Sequence, residues 1–517
     1  MTTSLLERLL NFYHIDLSTY QKLIAPTSLD SFASGHTFDN MSEAVDLVKK
    51  VINNNGKIII YGDYDADGIM GTSILVKAFE YLGIKVDYYI PNRYLDGYGL
   101  NEKNAQKYIN KYDLVITVDN GVTAFEAIKL LRDNNVSVLI LDHHQVQDKV
   151  PEANVVIHPS YSHFGEVASS GAFTAFIFTI SLLGRIDKYI SILASISLIS
   201  DMMPLLEYNR NLLRSVFDIY VEGEFFALDL LKDGEPFNEN TIGMKIAPRI
   251  NSVGRLCEDE SINDIVKFFT SDDKDFILNY FNYLVEINDT RKSLSKIEVD
   301  ESTLDLDNKA IVILGEYKEG IIGLVANTLM NKYHLPTVVF TKSSDGSLKG
   351  SARAPEGFDI VEAFSNINDL IITFGGHALA GGCSIKEEDF NAFKDRFCEF
   401  AKNKPFKKVT HEYIELGISE FSFENYDLIN SFSPFGESWP IPLFKMNHIK
   451  VSSLSYSRDH KHIITTIGQR QKIVYFNAPF DKLKETEYID IIGSISKKNF
   501  KGYYYLEFNC KELIPCK

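Results

Sequence analysis

The stretch "KIIIYGDYDADGIM", residues 57–70, places three carboxylates, Asp63, Asp65 and Asp67, at alternate positions directly after a run of β-branched residues. A buried strand has no use for such a cluster, and like charges on one strand face repel one another. The run that precedes the acids is short, apolar and unbroken by alternation, as expected for a strand buried on both faces of a parallel sheet. Three runs of the same kind follow: "KVDYYIPNR", "DLVITVDNG" and "VSVLILDHH". Between the first two lies "GTSILVKAFEYLG", apolar at helical spacing and ending at Gly83, a glycine placed to cap a helix. This βαβαβ pattern predicts an open parallel sheet. In three of the four runs the acids fall where the strand ends, and such sheets bind ligands at the carboxyl ends of their strands. Asp65, Asp67, Asp119, Asp142, His143 and His144 are therefore expected in one crevice.

Cations would cancel the repulsion. Mg²⁺ and Mn²⁺ take oxygen ligands, and Mn²⁺ also accepts imidazole. Crowded carboxylates with two adjacent histidines suit a pair of such ions about 3.5–4 Å apart, which activate a water for attack on phosphorus. The chemistry implied is hydrolysis of a phosphate ester or anhydride. Alone, "DxD" is usually a turn or cap, "VDNG" an ordinary turn and "HH" a surface accident. Together, at the ends of successive strands, they predict a metal site.

A chain of 517 residues suggests about three or four domains. Its composition, 45% hydrophobic and 24% charged, is that of a soluble globular protein. The opening "MTTSLLERLLNFYHIDL" reads as an amphipathic helix and not a secretory signal. The longest apolar run, "FTAFIFTISLL", is too short to span a bilayer, so no membrane association is expected. Five scattered cysteines without a CxxC pair argue against a disulfide framework or a zinc site and for a reducing, cytoplasmic setting. The net charge is −17, yet residues 405–517 carry 15 Lys+Arg against 13 Asp+Glu, so the acid is concentrated earlier in the chain.

A mostly helical stretch follows, from about Ser169 to Ser295, and Asp201 interrupts its apolar "ASISLISDMMPL". A second α/β unit runs from "KAIVILGEY" through "LKGSARAPEG" to "LIITFGGHALAGGCSI". After a lysine-rich linker, "AKNKPFKKVT", come short alternating runs that predict a β-barrel or sandwich. The expected organisation is a first domain over 1–275 including an N-terminal helical segment, a connecting helix over 276–304, a second α/β domain over 305–402 and a barrel over 403–517.

In order and spacing, "DYDADG", "VDNG", "LDHH" and "SLISDMMPL" resemble the four motifs of the DHH phosphoesterase superfamily, and "FGGHALAGG" resembles the signature of the DHH-associated domain. More narrowly, "PNRYLDGYGLN", "APRINSVGR", "EGIIGLVANTL", "LKGSARAPEGFDIVEAF" and "FSPFGESWPIP" resemble its bacterial single-stranded-DNA-specific exonuclease family. The resemblance implies an α/β fold: a parallel-sheet DHH domain, a second α/β DHH-associated domain and an OB-like barrel. It implies two divalent cations, Mn²⁺ or Mg²⁺, with Asp65 and Asp67 on one, Asp119 bridging, and His143 and Asp201 on the other. His144, His377 and Asp63 are implied as catalytic groups. Asp63 and Asp142 would also orient ligands by hydrogen bonding. Ser351 and Arg353 would hold a 5′ phosphate, Gly375 and Gly376 would present backbone amides to phosphate, and Arg249 and Asn251 would contact the strand. Related pyrophosphatases carry a histidine where this chain has Tyr61, which leaves one metal short of a nitrogen ligand.

The activity implied is 5′→3′ hydrolysis of single-stranded DNA to mononucleotides in repair and recombination, in concert with a helicase and a single-strand-binding protein. The barrel would stack bases on some of Tyr475, Phe476, Tyr503, Tyr504 and Tyr505, alternation turning about half of them inward. The alternative is a DHH phosphodiesterase for short oligonucleotides or small nucleotides, which generally lacks such a tail. A scaffold that has lost its metal ligands is the third reading, and every expected ligand is present here.

Overall fold

Strand β1 (Ile58–Tyr61) is buried along its whole length. Its neighbours are β2 (Asp87–Tyr89), β3 (Leu114–Val118), β4 (Ser137–Leu141) and β5 (Val155–Ile157), all parallel, in the order β2-β1-β3-β4-β5. β5 was not anticipated, because three residues are too few for a periodicity to show. The order switches direction at β1, so the crevice between the carboxyl ends of β1 and β3 is where a ligand is expected. The computed structural model describes residues 3–32, 38–146, 149–161, 168–295, 304, 306–343, 346–404, 412–458, 461–483 and 486–516.

Helix α1 (Ala66–Tyr81) starts inside the acidic motif. Asp65 is its N-cap and accepts the amides of Asp67 and Gly68 at 3.0 and 3.2 Å. The helix is apolar nearly all round because it lies between the sheet and helices α2 (Gly171–Leu183) and α3 (Lys188–Ser200). The helical stretch continues with α4 (Ala247–Leu256), entered through a π-turn at Ile242–Ile246, and α5 (Lys274–Ser295). The expected connecting helix is thus α5 as far as Ser295; 296–303 lie outside the described residues, as does most of the lysine-rich linker.

A second sheet, ordered β6-β7-β8-β10-β9, comprises β6 (Ile311–Leu314), β7 (Thr337–Lys342), β8 (Leu348–Arg353), β9 (Thr373–His377) and β10 (Ala380–Ile385). β6 and β7 are parallel and the rest antiparallel. One face packs on a core of Phe340, Phe364, Phe393 and Phe397, and helix α6 (Ile322–Tyr333) contributes to a smaller core with Ile311 and Val339. Both sheets belong to one unit, Leu29–Met203 with Val216–Val409.

The other unit joins Met1–Ser28 and Pro204–Ser215 to Thr410–Lys517. This corrects the expected first domain: the N-terminal helices pack with the C-terminal barrel. Tyr13 stacks on Trp439 and Phe432, with ring centroids 4.3 and 5.1 Å away. Arg210, fully buried, donates to the carbonyls of Phe432, Ser433 and Pro434 and lies 4.9 Å over Trp439. A buried charge with this many acceptors is held in place from several sides. Residues so far apart in the chain carry no local signal of this docking. The sheet of the unit is ordered β11-β12-β15-β16-β14-β13, with β11 (Tyr413–Glu415), β12 (Leu443–Lys450), β13 (Ile463–Thr466), β14 (Gln471–Tyr475), β15 (Tyr488–Phe500) and β16 (Tyr503–Pro515). Helix α7 (Phe423–Asn430) packs beside it.

Candidate metal centre and anion site

At the switch point, His143 Nε2 lies 3.2 Å from Asp119 Oδ1, 3.4 Å from Asp201 Oδ2 and 3.5 Å from Asp67 Oδ2. Each ligand comes from a different element end: Asp67 from the first turn of α1, Asp119 after β3, His143 after β4, and Asp201 from the C-cap of α3. Asp119 reaches in from a left-handed backbone, φ 61°, a conformation that costs energy outside glycine and clusters at functional sites. Among the described residues three groups have ligand atoms within 4.8 Å of one another: Asp67/His143/Asp201, Asp63/Asp65/Asp119 and Asp119/His143/His144.

The expected sets place Asp65 and Asp67 on one metal and His143 and Asp201 on the other, with Asp119 bridging. Asp67 falls with His143 and Asp201, while Asp63, expected to orient ligands or act in catalysis, falls with Asp65 and Asp119. Tyr61 is wholly buried and donates its hydroxyl to the Gly99 carbonyl at 3.0 Å. His144 is committed elsewhere: its Nδ1 is 2.8 Å from Asp142 Oδ1 and its Nε2 is 2.9 Å from the Tyr98 hydroxyl.

The donor set fits hard divalent cations. Asp63 Oδ1 and Asp119 Oδ1 are buried without a hydrogen-bond partner, which is costly unless a cation takes them. Burial, reinforced by neighbouring carboxylates, pushes Asp63 up to about 8 and Asp201 to about 9, and raises Asp67 and Asp119. Burial also lowers His143, favouring the neutral imidazole that a metal binds. Asp142 behaves oppositely. Burial works against its ionisation, but hydrogen bonds from His144 and the Val122 amide hold it below the usual carboxylate range. It accepts the amides of His143 and His144 and meets the His144 ring.

Beside the acids lies a cluster of guanidinium groups. Burial, then repulsion from Arg93, Arg291 and Arg353, pushes Arg255 down to about 10. Arg93 lies 4.2 Å over the Tyr64 ring, Arg255 donates to the Gly320 carbonyl, Arg291 to Asn288, and Arg353 to Ser351 Oγ and the Ala352 carbonyl. Arg93 also lies within electrostatic reach of Asp63, and Arg255 of Asp65. Of these residues the sequence reading found Ser351 and Arg353 and missed Arg93, Arg255 and Arg291. A signal existed in "APRINSVGR". Asn251 and Arg255 are four apart on α4 and share a face, whereas Arg249 lies on another. Asn251 accepts the Ala66 amide at the acidic loop at 2.8 Å. Arg249 points away: it donates to the Leu231 carbonyl and pairs with Asp233 at 3.6 Å.

His377, Gly375 and Gly376 lie on β9, which is exposed throughout. Among the described residues no hydrogen bond or ion pair ties His377 to the metal centre. Gly376 has a packing reason for being glycine: at φ 137°, a Cβ there would sit 2.4 Å from the Ala380 carbonyl of the paired strand. Gly375 faces open space. In the other unit, Phe476, Phe500, Tyr503 and Tyr504 are exposed and Leu506 and Phe508 are buried, so the inward alternation falls beyond the tyrosines. Lys472 lies 4.5 Å over Tyr505, Lys497 5.2 Å over Tyr504 and Arg470 4.6 Å over Phe423 of α7. All five cysteines are free, and among the described residues no helix is long and apolar enough to cross a membrane.

A parallel sheet bearing these acids and the DHH sequence at its switch point defines a DHH-type phosphoesterase, and residues 57–197 match the family model "DHH family, N-terminal domain". Residues 307–403 match the DHHA1 domain and 414–512 the RecJ OB domain. The chain belongs to the RecJ family. It is 31% identical over 461 residues to the single-stranded-DNA-specific exonuclease RecJ of Bacillus subtilis, covering 85% of this chain but only 58% of that protein. To the enzyme of that name from Haemophilus influenzae it is 28% identical, covering 93% of this chain and 90% of the relative. The crystal structure of RecJ in complex with Mn²⁺ from Thermus thermophilus superposes with a TM-score of 0.83 at 25% identity, over 94% of this chain and 74% of that one.

Proposed function

We propose that this chain is a metal-dependent exonuclease that hydrolyses single-stranded DNA from the 5′ end to mononucleotides, in DNA repair and recombination. The observation that carries the reading is the occurrence, within one unit, of two groups of candidate ligands and of Arg255 close to Arg93, Arg291, Arg353 and Asp65. It is supported by relatives named as single-stranded-DNA-specific exonucleases. Two bound cations would supply an activated hydroxide and neutralise the reacting phosphate. Asp63, Asp65 and Asp119 would hold one, and Asp67, His143 and Asp201 the other, with Asp119 near enough to His143 to serve both. His144 faces the reacting phosphate. Arg353 and Ser351, with Arg93, Arg255 and Arg291, grip a terminal 5′ phosphate through guanidinium forks. His377 and the amides at Gly375 and Gly376 take up phosphate oxygens, and the barrel aromatics stack bases farther along the strand. Because a single strand is the substrate, a helicase and a single-strand-binding protein are the partners this activity calls for, in the cytoplasm.

The test is a Mn²⁺-supplemented digestion of 5′-labelled single-stranded, 3′-labelled single-stranded and duplex DNA, and of a dinucleotide. Rapid release of the 5′ label from the single strand alone is expected. Cleavage of the dinucleotide with the long strand untouched would instead favour a small-substrate phosphodiesterase. Asp119→Ala should abolish hydrolysis and leave DNA binding measurable. A 5′-hydroxyl strand should be cut more slowly than a 5′-phosphorylated one, and Arg353→Ala should erase that difference.

A further inference from the structure

The loop "PNRYLDGYGLN" carries Tyr98 between two left-handed glycines, Gly97 at φ 80° and Gly99 at φ 66°. The loop is anchored on both sides of this tip. Asp96 accepts the Tyr89 hydroxyl at 2.8 Å, the Asn92 amide at 2.9 Å and Asn104 Nδ2 at 3.0 Å. On the other side the Gly99 carbonyl accepts the Tyr61 hydroxyl, from the position where related pyrophosphatases supply a metal-binding histidine. Tyr61 therefore gives up a ligand and gains an anchor for the residue next to Tyr98. The Tyr98 ring also meets the edge of Tyr64, 6.3 Å between centroids, which fixes its direction further.

We propose that Tyr98 is a positioning residue for His144, completing a hydrogen-bonded line Asp142–His144–Tyr98 that sets the imidazole before substrate arrives. The inner end of the line is rigid. Asp142 Oδ1 takes the His144 ring and the amides of both histidines, and its Oδ2 takes the Val122 amide at 3.0 Å. The two ring nitrogens of His144 thus each have one partner, Nδ1 with Asp142 Oδ1 at 2.8 Å and Nε2 with the Tyr98 hydroxyl at 2.9 Å. Two partners on opposite ring nitrogens remove the rotation that one partner leaves, and preorganisation of this kind is a main source of catalytic rate.

The inference rests on the proposed hydrolysis only for its kinetic arm. Tyr98→Phe keeps the ring and removes the hydroxyl. It should lower kcat about five- to tenfold, the worth of one hydrogen bond, with KM within about twofold. In a His144→Ala background the same change should cost nothing further. Wild-type kcat in Tyr98→Phe, or an equal loss in both backgrounds, would overturn the proposal; the first result would leave Tyr98 as a stacking ring alone. The second arm needs no turnover. In Mg²⁺-loaded protein with ¹⁵N-labelled histidine, the His144 Nε2 resonance, assigned through His144→Gln, should move in Tyr98→Phe while His143 stays put. An unmoved resonance refutes the contact whether or not the protein cuts DNA.

Discussion

Four carboxylates at one switch point, Asp63, Asp67, Asp119 and Asp201, hold protons more tightly than free carboxylates do. Asp63 and Asp201 are pushed up to about 8 and about 9 by burial and by each other's neighbours, against about 3.9 in an unfolded chain. Between about pH 4 and 8 the folded, metal-free protein therefore keeps protons that the unfolded chain has lost, and its stability falls as pH rises across that window. Asp142, held low, acts in the opposite sense, but its contribution is complete above about pH 4. The melting temperature of the metal-free chain should thus drop between about pH 6 and pH 8.5. Saturating Mn²⁺ should raise it more at the higher pH, because a cation must displace the protons. Calorimetry at the two pH values checks this. The ligand grouping has its own test: in Mn²⁺ titrations Asp63→Asn and Asp201→Asn should each weaken a different one of two binding events.

At the scale of elements, the site depends on how closely α2 approaches the end of β3. The amides of Gly171 and Ala172, at the N-terminus of α2, donate to the two oxygens of Asp67 at 2.7 and 2.8 Å. A Cβ at Gly171 would stand 2.7 Å from Asp119 Cβ and 2.8 Å from its Cα. One methyl group therefore pushes on ligands from both triads. Gly171→Ala should destabilise the protein by about 1–3 kcal/mol, as overpacking does, and weaken Mn²⁺ binding as well. Gly83→Ala is the control. It is strained at φ 73° but has open space around it, so it should cost about 1 kcal/mol and leave metal affinity unchanged. Denaturant unfolding with parallel metal titrations separates the two.

On the scale of the whole molecule, a chain of net charge −17 must concentrate its attraction for a polyanion in a few places. The arginine cluster is one. The tip of the β15–β16 hairpin is the other, where Phe500 is 65% and Tyr503 77% exposed beside Lys497, Lys498 and Lys501. Base stacking on an aromatic ring is worth about 1–3 kcal/mol, so replacing Phe500 and Tyr503 by Ala should weaken binding of a long oligonucleotide at least about tenfold. Replacing Lys497 should lower the slope of log affinity against log salt by about 0.7. Fluorescence anisotropy over a salt series measures both.

Much of this was legible from residue order. The parallel sheet and the switch-point crevice follow from acids placed directly after buried strands, because strand direction and side-chain chemistry are local properties. What required the folded chain was anything set by the relative phase of distant elements. The division of the carboxylates into Asp67/His143/Asp201 and Asp63/Asp65/Asp119 depends on rotations that α1 and α3 acquire only when packed. The convergence of Arg93, Arg255, Arg291 and Arg353, the placing of Tyr98 against His144, and the docking of residues 1–28 with the C-terminal barrel bring together segments tens to hundreds of residues apart. No local periodicity encodes such meetings; burial and hydrogen bonding in the assembled core select them.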